Sequence, residues 1–151
     1  MNETLTPQEK RQLKTIRLIF IAMAAFLCFM LLGAIVFVTA EGPLQPDINV
    51  HRTWLLVASV SLTFICGWIG RRHFLKTTQM AKNSSEPLSA KLTKYQSSLI
   101  VYLALIEAPV LFCIVLLLLT SDSFYQIFGA ALLGSFLVKY PREERVLGQL
   151  T

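Results

Sequence analysis

Four long apolar runs divide the chain. Residues 18–40 form 23 positions without a charge, 53–70 form 18, 96–121 form 26 broken only by Glu107, and 123–138 form 16. A membrane-spanning helix needs about 20 apolar residues, within a range of about 17–25. Spans are therefore expected at 18–40, 53–70 and 97–120. A fourth at 123–138 reaches full length if Tyr140 joins it and Lys139 snorkels to the interface. The pattern predicts an all-α fold, a four-transmembrane-helix bundle forming one integral membrane domain over residues 1–151.

Punctuation residues refine the boundaries. Thr6-Pro7-Gln8-Glu9 is a capping box with proline at the first helical position, so helix one should run from Pro7 to about Thr39. Residues 41–47 carry Gly42, Pro43 and Pro46 and read as a turn. The longest hydrophilic stretch is a loop at 71–95. Its start should continue helix two along the headgroups, 82–87 should break it, and span three should begin near Glu86. Trp54, Trp68, Tyr95, Tyr125 and Tyr140 fall at span ends, an expected aromatic belt. Val38-Thr39-Ala40 resembles a signal-peptidase site, but 23 apolar residues exceed the usual 7–15 of a signal peptide, so the first span is read as retained.

No heptad-like repeat or duplication is evident. Small residues recur at spacing four in Ser59-Thr63-Gly67, Ala104-Ala108, Ala130-Gly134 and Ala131-Ser135. In lipid, close packing at small residues and interhelical hydrogen bonds hold helices together. These stripes are assigned to contacts within the bundle, with homodimerisation as the alternative.

Composition agrees with this picture: 54% of residues are hydrophobic and 15% charged, against roughly a quarter charged in soluble domains. The net charge of +5 is unevenly placed, because 13 of the 14 Lys and Arg lie before span one, between spans two and three, or after span four. Only Arg52 falls on the other side. The positive-inside rule then puts both termini in the cytoplasm, most simply at a plasma (inner) membrane. The basic excess is an orientation signal rather than a nucleic-acid footprint. Its expected partners are anionic headgroups at Arg17, Arg71, Arg72, Lys76 and Lys94.

Little else suggests chemistry. Cys28, Cys66 and Cys113 lie inside spans with no CxxC spacing, and His51 and His73 fall on opposite sides, so neither a metal site, a catalytic pair nor a cofactor is expected. No soluble segment is long enough for a catalytic domain, and the tail from Pro141 is too short for one.

Glu107 stands out, since an ionisable residue at bilayer depth is by default a functional-site hypothesis. Span three can carry it without a function. Its 15 Leu, Ile, Val and Phe residues favour insertion by about 4.5–9 kcal/mol, against about 3 kcal/mol for the acid. Pro109 lies about 200° around the helix and removes the bond to the Leu105 carbonyl. A proline on the convex side of a kink would turn Glu107 toward the bundle interior. Thr63, with Ser59 as alternative, is the expected neighbour at matching depth. No cation lies there, so the acid should be neutral and able to donate a hydrogen bond.

The stretch 104–115, Ala-Leu-Ile-Glu-Ala-Pro-Val-Leu-Phe-Cys-Ile-Val, resembles the proton-carrying helix of rotary ATPase c-subunits. That resemblance implies Glu107 as an ion carrier on a hairpin with a basic cytoplasmic loop. Ala58, Ser59, Ser61 and Thr63 stand where that family has alternating glycines. Four spans with one acid also resemble small multidrug-resistance transporters, which place their acid in the first span rather than the third. The expectation is a non-enzymatic accessory or assembly component of a membrane complex, with a protein partner or a second copy beside it. The alternative is a proton-linked transporter component using Glu107.

Overall fold

The computed structural model describes residues 6–141, Val146 and Gly148, and every regular element among them is helical. Helix α1 covers Pro7–Glu41, a 3₁₀ turn covers Pro46–His51, and α2, α3 and α4 cover Arg52–Asn83, Leu88–Thr120 and Ser123–Leu137. Three helices are long and apolar enough to cross a membrane; α4 is apolar but shorter, with 15 residues. Arg142 and Arg145 lie outside the described residues.

The start of α1 follows its capping chemistry. The Glu9 N–H donates to Thr6 Oγ1 at 3.4 Å, and the Thr6 N–H donates to Glu9 Oε2 at 2.8 Å. The helix ends where Gly42 takes φ +80° and donates its N–H to the Val38 carbonyl, a backbone conformation that favours glycine. Loss of the cap in Thr6→Ala should cost about 1 kcal/mol of local stability. Faster amide exchange at Glu9 and Lys10, with the spans unaffected, is the expected readout.

Helix α3 is the hub, against which α1, α2 and α4 all pack. The buried residues of α1 are Leu13, Ile16, Phe20, Ala24, Leu27, Leu31 and Ala34. Their spacings of three or four residues place them in one buried seam along a single face of the helix. A chain cut after Ala40 would lose this entire seam. In α2 only Ser59, Gly70, Thr78 and Ala81 are buried, so α2 lies outermost and packs chiefly on α3.

Side-chain contacts fix the registers. Helices α1 and α3 run parallel, with Gln12 Nε2 donating to Thr93 Oγ1 at 3.3 Å and with Leu31 and Cys113 meeting at Gly129. Helices α2 and α3 run antiparallel. Arg52 pairs with Asp122 at one end, and Phe74 stacks on Tyr102 at 5.3 Å toward the other. Arg17, Arg71, Tyr102 and Lys139 consequently fall close to one level, while Thr120 and Asp122 mark the opposite end. From Tyr102 to Thr120 the helix rises about 27 Å, close to the hydrocarbon thickness of about 30 Å.

Beyond that basic level the helices do not stop. The segment 71–95 is helical except at Ser84–Pro87, and the continuation of α2 packs against the start of α3. Thr78, Ala81, Leu92 and Tyr95 are buried in this extension. Helix α3 begins at Leu88 rather than near Glu86, because Pro87 holds extended backbone at φ −64°, ψ 153° and occupies the N-cap. Glu86 instead binds Lys94 at 2.6 Å.

The aromatic residues divide by environment. Trp54 and Trp68 are exposed, at 75% and 58%, as a belt requires. Tyr95 packs edge-on to Phe74, Tyr125 is buried, and Tyr140 meets Phe20 edge-on at 5.6 Å. These three tyrosines are packing residues rather than interfacial anchors. At the far end, the Leu44 and Gln45 N–H groups donate to the Leu118 and Leu119 carbonyls at 3.0 and 3.1 Å. A segment without hydrophobic periodicity thus supplies donors to carbonyls that the end of α3 leaves without helical partners.

Candidate functional site

At about 100° per residue, Glu107 lies about 140° from Tyr102 and 200° from Leu105, and both of those residues meet Gly70 of α2. The acid therefore faces away from α2. Its side of α3 is the α1 flank, where Leu99, Ile100 and Leu103 line a crevice with Ile16 and Ile19. Along the α2–α3 register, Glu107 is level with Cys66 and Gly67, about one turn from Thr63. The predicted meeting of Glu107 with Thr63 or Ser59 does not occur. Both hydroxyls are satisfied on their own helix, Thr63 donating to the Ser59 carbonyl and Ser59 to the Leu55 carbonyl, each at 2.8 Å.

Pro109 is buried on the face turned to α2, inside a helix that continues to Thr120. The geometry is the reverse of the expected one: the proline turns inward and the acid sits at the bundle's edge. Glu107 is half-buried, between Leu103 and Val110, which are buried, and Ala104 and Ala108, which are exposed. Among the described residues its carboxyl makes no hydrogen bond or ion pair. It lies about 8 Å along the helix axis from the Tyr102 level.

The small-residue stripes split in the same way. Ser59 is buried and Thr63 and Gly67 are half-buried, whereas Ala104, Ala108, Ala130, Ala131, Gly134 and Ser135 are exposed. A Cβ added at Gly134 would meet nothing within 4 Å. The assignment of these stripes to internal contacts therefore fails for α3 and α4.

No protein-family model, curated protein or solved structure matches this chain.

Of the residues expected at headgroups, Arg17 and Arg71 lie at the basic level, and Arg72 stacks over Trp68 at 4.0 Å. Lys76 stands exposed about one turn farther along α2. Lys94 lies about 12 Å beyond Tyr102 and is engaged by Glu86, so the extension lifts it away from that level. His51 and His73 are separated by about 33 Å of one helical axis, which keeps them from sharing a ligand.

Two features had no clear sequence signal. One is the Arg52–Asp122 pair, at 2.6 Å with the Asp122 side chain only 13% exposed. Asp122 also caps α4 by accepting from the Phe124 N–H at 2.9 Å. The other is a cleft at the basic level, bordered by Arg71 and Lys139, which lie 68 positions apart in the chain.

Proposed function

We propose that the chain is a multi-pass membrane protein with both ends on the cytoplasmic side, acting as a non-enzymatic accessory or assembly component of a membrane complex. In this reading α4 completes a fourth span. It accompanies α3 from Asp122 to Lys139, whose ammonium sits 4.9 Å over the Tyr102 ring. The concentration of basic residues at one end supports the orientation. The observation that carries the function is the position of Glu107: an acid at bilayer depth, without a partner among the described residues, beside the exposed Ala104 and Ala108.

Ionisable residues in membranes almost always face a bundle interior or a cavity and pair there. Here the small residues let a neighbouring helix approach closely, and the carboxyl supplies a hydrogen bond across the contact. The partner is a helix of another membrane protein carrying a donor at that depth. Co-purification in mild detergent tests the reading. Glu107→Gln should retain the partner and Glu107→Leu should lose it by about fivefold, equivalent to about 1 kcal/mol. Retention in both variants sinks the tether. Loss of a transmembrane proton flux in Glu107→Gln, with the protein isolated as a lone homo-oligomer, would favour the proton-linked alternative.

A further inference from the structure

The cleft at the basic level has a volume of about 420 Å³, within the range of small-molecule sites. Its charged members are Arg71 from α2 and Lys139 from the end of α4; its walls are Phe74, Tyr95, Leu99 and Tyr102. Among the described residues no acidic side chain lines it. The Lys139 ammonium is held over the Tyr102 ring, and that ring is braced from behind by Phe74. Arg71 makes no hydrogen bond or ion pair among the described residues.

On the bilayer side the border is Gly67, where an added Cβ would meet nothing within 4 Å. Helices α2 and α4 each pack along α3 and meet at the far end, where Ser59 reaches Tyr125 and Arg52 pairs with Asp122; toward the cleft they have few contacts with each other. The cleft is therefore continuous with an apolar furrow on one side and open toward the aqueous extension on the other. Two cations without an acidic partner among the described residues, aromatic walls and an apolar exit match one ligand shape. It is an anion with a hydrocarbon tail.

We propose that Arg71 and Lys139 bind the phosphate of an anionic phospholipid, with its acyl chain lying in the furrow between α2 and α4. Arg71 offers a fork of donors suited to phosphate oxygens, and Lys139 supplies a positioned point charge. This rests on the membrane reading above but goes further. Diffuse attraction to a basic surface would use any exposed cation, whereas the cleft uses these two.

The full chain reconstituted in nanodiscs provides the test, with co-isolated lipid read by native mass spectrometry. The probes are phosphatidylglycerol, phosphatidylcholine and inorganic phosphate. Phosphatidylglycerol should be retained over phosphatidylcholine, and Arg71→Gln and Lys139→Gln should each weaken its retention about tenfold, the scale of one lost charge-assisted hydrogen bond. Lys94→Gln should leave it unchanged, and millimolar phosphate should not displace it. Equal losses in Lys94→Gln and the cleft variants would reduce the effect to general surface charge and overturn the proposal. Displacement by inorganic phosphate would make the site one for a free anion and overturn the lipid assignment. Liposome flotation of each variant separates the two layers of argument. A chain that fails to float overturns the membrane reading itself, while one that floats without lipid selectivity overturns only the cleft.

Discussion

Gly70→Leu is expected to detach α2 from α3 and lower stability by about 3 kcal/mol, the upper part of the usual range for overpacking. A Cβ at this position would stand 3.0 Å from Tyr102 Cδ2 and 3.5 Å from Leu105 Cβ and Cδ1. Withdrawal of Tyr102 would break its stack on Phe74 at 5.3 Å and its contact with the Lys139 ammonium. Helix α2 also has few other buried positions with which to compensate. Gly70→Ala asks only for a shift of a few tenths of an ångström. Its strain is offset by the better helix propensity of alanine, about 1 kcal/mol, so its net effect should be near zero. Both tryptophans of the chain, Trp54 and Trp68, lie on α2. Thermal unfolding followed by their fluorescence in detergent therefore reports on this helix. A Leu variant with an unchanged midpoint would show that Gly70 is not a close-packing contact.

Asp122→Lys should destabilise the opposite end by about 2–3 kcal/mol. The substitution removes the N-cap of α4, worth about 1 kcal/mol. It also places a cation at the positive end of the helix dipole, for about 0.5–1 kcal/mol. Finally, it turns an attraction to Arg52 into a repulsion; because Arg52 is 60% exposed, that pair contributes no more than about 1 kcal/mol. Asp122→Asn keeps an acceptor for the Phe124 N–H and loses only the charge, so it should cost less than about 1 kcal/mol. Pairing Arg52→Glu with Asp122→Lys restores the attraction but not the cap, and should recover only part of the loss. Midpoints of denaturant titrations in bicelles measure all four chains. A full rescue by the double variant would mean that the ion pair, not the cap, holds α4.

Much of the secondary structure was legible because its signals are local. The capping box at Thr6 placed the start of α1 at the residue where it occurs. The charge-free runs located three long apolar helices and a shorter fourth. Pro87 misled by only two residues, because its fixed φ and missing N–H are compatible with the N-cap as well as with the first turn.

The facing of each helix was not legible, and the reason is physical. A helix in water reveals its buried side by contrast with a polar side. In α3 both sides are apolar, so Leu103 and Val110, both buried, have the same character as Val101 and Val115, both exposed. The buried face of α1 was hidden in the same way. Pro109 suggests an inward Glu107, but the neighbouring helices rather than the proline set the rotation of α3. Nothing at positions 105–109 records that α2 packs on the Tyr102–Leu105 face. Likewise, no local pattern joins Arg71 to Lys139 or Leu44 to Leu118.

The sequence by itself therefore determined the helices, their approximate ends and the concentration of basic residues at one end. Each of these follows from hydrogen bonding, hydropathy and charge within a short stretch of chain. Only the tertiary structure decided that α3 is the hub, that Glu107 sits at the bundle's edge beside exposed alanines, and that two distant cations share a cleft. Those outcomes depend on helix register and rotation, which shape complementarity between whole helices sets.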